Sequence, residues 1–182
     1  MNDVLSFRSP TAQTAQDLFN EHNQTEKAQR FLSPVSEQEL WYERPAPHHA
    51  SALYESQITE LKSHKVLVDT WTGAPTGVVG DKYKVTQMRD FTEATEAMLI
   101  NALPNDKFKD MEISDSMSHG SAVRSRKYTF PAFSKPIETR KHQTEVALTV
   151  ALVQSYDGST SNGFVTCLLY TSDAADEEDS VD

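Results

Sequence analysis

Apolar residues recur at helical spacing in some stretches of this chain and alternate with polar ones in others. Tyr54, Ile58 and Leu61 stand at i, i+4 and i+7 and predict a short helix over 51–62. Phe91, Ala94, Met98, Leu99 and Ala102 line one side of a second predicted helix, 87–103, with Asp90, Glu93 and Glu96 in the half the helix dipole favours. Between them, 65–70 and 76–80 are β-rich runs joined by Trp71-Thr-Gly-Ala-Pro, the signature of a hairpin. Met111, Ile113 and Met117 alternate with polar residues up to Ser118-His119-Gly120, and 122–130 runs back as the paired strand. Pro131 and Pro136 are expected to bracket a loop. In 145–155, Val146, Leu148, Val150 and Leu152 occupy one face and Ala147, Thr149, Ala151 and Val153 the other, the pattern of a central strand covered on both sides. Asp157-Gly158 turns the chain and Phe164-Val165 opens a further strand.

The expected class is α+β: an antiparallel sheet with helices packed on one face and an irregular N-terminal arm. The arm, residues 1–50, is polar and interrupted by Pro10, Pro34, Pro45 and Pro47, with Leu18, Phe19, Phe31 and Leu32 as its main apolar content. A helix over 14–31 is compatible with this spacing but broken by the polar stretch around His22 and Asn23. Trp41 and Tyr42 stand out, and the expected role of such a pair is to anchor the arm on the domain, with contact to a partner as the alternative.

Length and composition fit one domain: 182 residues, 37% hydrophobic, 24% charged, net charge −10. The longest apolar stretch, near Val146 to Val153, is far short of the ~20 residues of a membrane-spanning helix, so no membrane is expected. Six carboxylates lie in the last ten residues, and without them the net charge is −4. From Cys167 the chain reads Cys-Leu-Leu-Tyr-Thr-Ser-Asp-Ala-Ala-Asp-Glu, which resembles the translation of a transposase-type sequencing adapter. Residues 51–166 are accordingly expected to be a core domain truncated at its C-terminal end, and 167–182 a dispensable, loosely attached tail. Cys167 is the only cysteine, which leaves no disulfide and fits a reducing compartment.

Three stretches carry a resemblance: 65–83 with Gly77-Val-Val-Gly-Asp-Lys-Tyr-Lys, the strand pair 111–130, and 150–159 ending Gln-Ser-Tyr-Asp-Gly-Ser. Over about a hundred residues their order and spacing resemble the phage- and plasmid-associated domain of unknown function 932. The resemblance implies a mobile-element origin, a cytoplasmic location and an α+β fold, and no established biochemical role. Members often carry His where Tyr156 stands, so no Ser-His-Asp arrangement forms from Ser155 and Asp157.

No catalytic signature is present. The histidines are scattered without the clustered spacing zinc needs, and no cofactor is expected. Gly77-Val-Val-Gly-Asp-Lys lacks the Gly-Lys-Ser/Thr ending of a phosphate loop and reads as a twisted or bulged strand. The strongest local signal is basic: Arg124, Arg126, Lys127, Lys135, Arg140 and Lys141 against Glu138 alone between Gly120 and His142. Arg124, Arg126, Tyr128 and Phe130 share one face of their predicted strand, which is the combination of cations and rings that a single-stranded nucleic acid needs. The competing expectation is that the rings turn into the core and the arginines decorate the strand's exposed end; pairing of the arginines with Glu112, Asp115 or Glu138 would remove the main support of the nucleic-acid reading. The expected function is therefore non-enzymatic single-stranded nucleic-acid binding in replication or recombination, by a phage or mobile-element protein. The alternative is a factor contacting a host protein through the acidic N-terminal segment with Trp41 and Tyr42.

Overall fold

The computed structural model describes residues 14–44, 57–138 and 143–171. Two short helices open the chain: α1, Ala15–Asn23, and α2, Glu26–Phe31. Each has a threonine cap. The Thr14 hydroxyl accepts from the Asp17 amide while the Asp17 carboxylate accepts from the Thr14 amide, and Thr25 caps α2 through the Ala28 amide. The first strand, β1 (Val35–Arg44), pairs antiparallel with β2 (Gln57–Asp69), which pairs in turn with β3 (Pro75–Gly80). The 14–44 segment is thus ordered structure and not an irregular arm, because two caps and the fully buried Phe19 and Phe31 fasten it to the core.

The helix expected over 51–62 is also corrected. Residues 57–62 are strand, and Ile58 is 73% exposed, so the stripe containing it finds no core to cover. Residues 51–56 lie outside the described residues. The hairpin of β2 and β3 forms as expected, with Gly73 at φ +70° in its turn. Helix α3, Met88–Ala102, also forms as expected, but its buried side is Met88, Thr92, Thr95, Glu96 and Leu99, and Met98 points outward. This side is rotated toward polar residues because a buried polar network, described below, needs Glu96.

After a single 3-10 turn, Asn105–Phe108, four antiparallel strands follow in sequential order: β4 (Glu112–Ser118), β5 (Val123–Glu138), β6 (Gln143–Ser155) and β7 (Gly163–Thr171). The loop expected at 131–136 is instead an irregularity within β5, where the register to β6 shifts between Phe130 and Lys135. β6 is central, as its two-sided apolar pattern predicts, with Val146, Val150 and Leu152 buried on one face and Ala147 and Thr149 on the other. β7 runs past Thr166, so residues 167–171, expected to be loosely attached, pair with Glu145 to Thr149 of β6. Residues 172–182 lie outside the described residues.

The helices cover one face of the four-stranded sheet. Phe19, Phe31, Leu32, Met88, Leu99 and Phe108 close over Tyr128, Phe130, Val150 and Leu152. Phe19 meets both Phe108 and Tyr128 edge to face, and Phe108 meets Phe130 the same way. A smaller cluster of Val35, Leu67, Val79 and Tyr156 joins the three-stranded sheet to the end of β6. At that joint a side chain on Gly77 would place its Cβ 2.5 Å from the Tyr156 carbonyl oxygen. The glycine is there for a close backbone approach.

Candidate interaction surface

Arg124, Arg126, Tyr128 and Phe130 do share one sheet face, since they stand opposite Gln154, Leu152, Val150 and Leu148 of β6. It is the inner face. All four side chains are entirely buried beneath the helices, so they neither stack on bases nor neutralise phosphates. Lys127, on the other face, is exposed, as is Lys135 beyond the irregularity in β5. Arg140 and Lys141 lie outside the described residues. The expected nucleic-acid surface is therefore corrected to a structural core for Arg124, Arg126, Tyr128 and Phe130, and no contiguous basic and aromatic face is left among the described side chains of β5.

The geometry explains how the Arg126 guanidinium tolerates burial. Arg126 forks onto Asp115, Nε to Oδ1 at 2.7 Å and Nη2 to Oδ2 at 2.9 Å, and its Nη1 donates to Glu96 Oε1 at 2.9 Å and Asn23 Oδ1 at 2.6 Å. His22 Nε2 lies 3.0 Å from Asp115 Oδ2, Tyr128 donates its hydroxyl to Glu96 Oε1 at 3.0 Å, and the Asn23 amide reaches Glu96 Oε2 at 3.1 Å. Burial alone would raise the Asp115 pKa, but hydrogen bonds from His22 and Arg126 and the charge on Arg126 hold it below the usual aspartate value. Glu96 goes the other way: burial dominates and raises its pKa, against the pull of Arg126 and its hydrogen bonds. Burial raises the Tyr128 phenol well above its ordinary value, so it stays a donor.

Arg124 does different work. Its Nη1 donates to the Phe31 and Ser33 carbonyl oxygens at 2.7 and 2.6 Å, its Nη2 lies 3.4 Å from Asp69 Oδ2, and its guanidinium sits 5.2 Å from the centre of the Tyr156 ring. Asp69 in turn accepts from the Ser33 hydroxyl and the Trp71 amide. Tyr156 accepts from the Met88 amide through its phenol oxygen at 3.0 Å, so this tyrosine helps fix the start of α3. Sequence reasoning missed the roles of His22, Asn23 and Glu96. Asp115 was detectable, because the strand pairing sets it directly opposite Arg126.

Both carboxylates of the Arg126 network have each oxygen occupied by a donor, which suits a strut and leaves no free group for chemistry. A polar cleft of about 490 Å³ between α1, α2 and α3 reaches Asn23 and Glu96, and its described lining, mostly amides with Arg89 and Glu93, holds no Ser, Thr, Cys, His or Lys. The other candidates are structural too. The Asp157 carboxylate, lowered to about 2 by hydrogen bonds from Ser155 and Ser159, closes the turn after β6. No group of three or more potential metal ligands exists among the described residues, and no helix among them is long and apolar enough to cross a membrane.

Exposed large apolar side chains lie elsewhere: Trp71 and Val78 in the β2–β3 hairpin, Met98 on α3, Phe164 and Val165 on β7, and Trp41, Tyr42 and Ile58 on β1 and β2. β3 pairs only with His64 to Val68, so the far ends of β1 and β2, Trp41 to Arg44 opposite Gln57 to Glu60, form a two-stranded ribbon. Trp41 is 53% and Tyr42 42% exposed, which corrects the expected anchoring role of the pair. Register places Glu39, Trp41 and Glu43 on one face of the ribbon together with Glu60 and Ile58, which stand opposite Trp41 and Glu43. The Trp41 indole donates to Glu39 Oε2 at 3.2 Å. Where the ribbon meets the sheet, four residues of β2 face Leu40 alone, and this irregularity opens a groove of about 280 Å³ lined by Glu37, Glu39, Glu60 and Asp81 with Lys62 and Lys65.

Comparison of the chain with known protein families, curated proteins and solved structures finds no match. The resemblance to domain of unknown function 932 rests on the stretches quoted for it.

Proposed function

We propose that this chain is a non-enzymatic binding protein that docks a protein partner on the distal β1–β2 ribbon. One observation carries the reading: Trp41, Tyr42 and Ile58, three large apolar side chains, stand exposed on a ribbon that no third strand among the described residues supports. Aromatic side chains are enriched at protein interfaces, and contiguous exposed apolar patches mark interaction sites. Of the two functions expected from the sequence, this supports contact with another protein. Nucleic-acid binding keeps only Lys127 and Lys135 as exposed described cations of the basic segment.

A photo-crosslinking amino acid placed at position 41, in cells expressing the chain, tests the reading against the same group at position 127. The expected result is a discrete protein adduct from position 41 that is lost when Ile58 is changed to Asp. Adducts of equal yield from both positions, or adducts competed away by single-stranded oligonucleotide, would overturn it.

A further inference from the structure

We infer that the segment taken by the ribbon is an extended, lysine- or arginine-bearing stretch of the partner protein, laid along β1; this rests on the docking reading above. Three features of the surface converge on that chemistry.

β1 is the terminal strand of its sheet among the described residues, so its outer edge offers backbone donors and acceptors that no described strand pairs, along the length that carries Trp41 and Tyr42. An extended segment satisfies such an edge and a helix does not. The apolar patch on the Trp41 face is ringed by carboxylates: Glu39 and Glu43 lie two residues to either side of Trp41, and Glu60 stands across from it. Glu37 is taken, because Lys65 Nζ donates to it at 2.7 Å and to the Tyr83 carbonyl oxygen at 2.7 Å. Glu39, Glu43, Glu60 and Asp81 make no ion pair with any described residue. Lys62 beside the groove and Arg44 at the end of the ribbon offset them in part.

A cationic side chain lying over the Trp41 ring gains from the ring and the neighbouring carboxylates Glu39 and Glu43 together. Alternation along the occupant follows from the strand period: cations toward the Trp41 face, small or apolar residues toward the Tyr42 face. A second copy of this chain is disfavoured, because two such faces would set carboxylates against carboxylates, and an anionic polymer is disfavoured for the same reason.

The chain has two tryptophans, so in a Trp71→Phe background the emission of Trp41 reads binding directly. The probes are a soluble twelve-residue peptide alternating arginine with valine and its glutamate–valine counterpart. We expect a saturable emission change with the arginine peptide alone, weakened about tenfold between low and high salt. The Glu39→Gln, Glu60→Gln double variant, both sites on a solvated strand surface, should bind about fivefold more weakly with an unchanged circular-dichroism spectrum. An equal response to both peptides, or binding indifferent to salt and to the double variant, would show that charge does not select the occupant. No response to the arginine peptide, with the position-41 adduct still formed, would overturn the inference and leave the docking reading standing. Loss of the adduct as well would remove both.

Discussion

Arg126 and Arg124 differ by two positions and illustrate how a buried charge is made tolerable. Arg126 is held in place by two carboxylates that would otherwise be the costly groups, and its own charge, penalised by burial, is more than restored by Asp115. Removing it strands both. Arg126→Ala should therefore lower unfolding free energy by about 3–5 kcal/mol in urea titrations. A loss below about 1 kcal/mol would show that water reaches Asp115 and Glu96. The two acids give opposite pH signatures. Asp115 titrates below its unfolded value, so its contribution is present above the usual aspartate pKa and is lost as pH falls through the depressed one. Asp115→Asn should thus cost most at neutral pH, with the gap to the parent chain closing under acid. Glu96 titrates above its unfolded value, so its contribution is full below the usual glutamate pKa and lost as pH rises through the raised one. Glu96→Gln should then become less costly from acid toward neutral pH, and urea midpoints of both variants across that range check the two signs.

Among the elements, those with an unbroken period in sequence were legible: the β2–β3 hairpin, α3, the β4–β5 pair and central β6. Those set by distant partners were legible only in part: the spacing over 14–31 allowed a broken helix, but not its fastening to the core. α1 and α2 have few apolar residues, and it is the sheet face under Phe19 and Phe31 that makes them stable. The same ignorance of distant partners hid the site. The alternation Arg124, Arg126, Tyr128, Phe130 fixes that these side chains share a face, and nothing local says which face the helices cover. Trp41 and Tyr42 failed in the opposite sense, because hydrophobicity alone suggests burial. At the β3 joint, Gly77→Ala forces backbone apart at Tyr156 and Asp157 and should cost about 1–3 kcal/mol, measurable as a lowered thermal midpoint. A chain ending at Thr166 loses the β7 residues that pair with Glu145 to Thr149, and should melt below one ending at Thr171. Equal midpoints would mean that the end of β7 adds nothing to the sheet.

At the scale of the molecule, the question is whether two sheets with separate apolar clusters behave as one unit. The clusters themselves are unequal, the smaller one resting on Val35, Leu67, Val79 and Tyr156, too few residues to hold three strands alone. Besides the Tyr156 ring, a polar tie binds it to the larger sheet: Arg124, rooted in β5, reaches the Phe31 and Ser33 carbonyls ahead of β1 and Asp69 at the end of β2. Because these groups are buried, separating the sheets would expose or orphan all of them at once, which makes independent unfolding expensive. The Leu67 and Leu152 amides, one from each sheet, should accordingly exchange with the same free energy and the same dependence on low urea in native-state hydrogen exchange. Arg124→Lys keeps the charge but loses the guanidinium whose Nη1 bonds two carbonyls while Nη2 lies beside Asp69. In that variant Leu67 should exchange through a lower-energy opening while Leu152 keeps the global value. Should the two amides still move together, the sheets are joined chiefly by the Gly77–Tyr156 backbone approach, and the guanidinium is not what makes the fold cooperative.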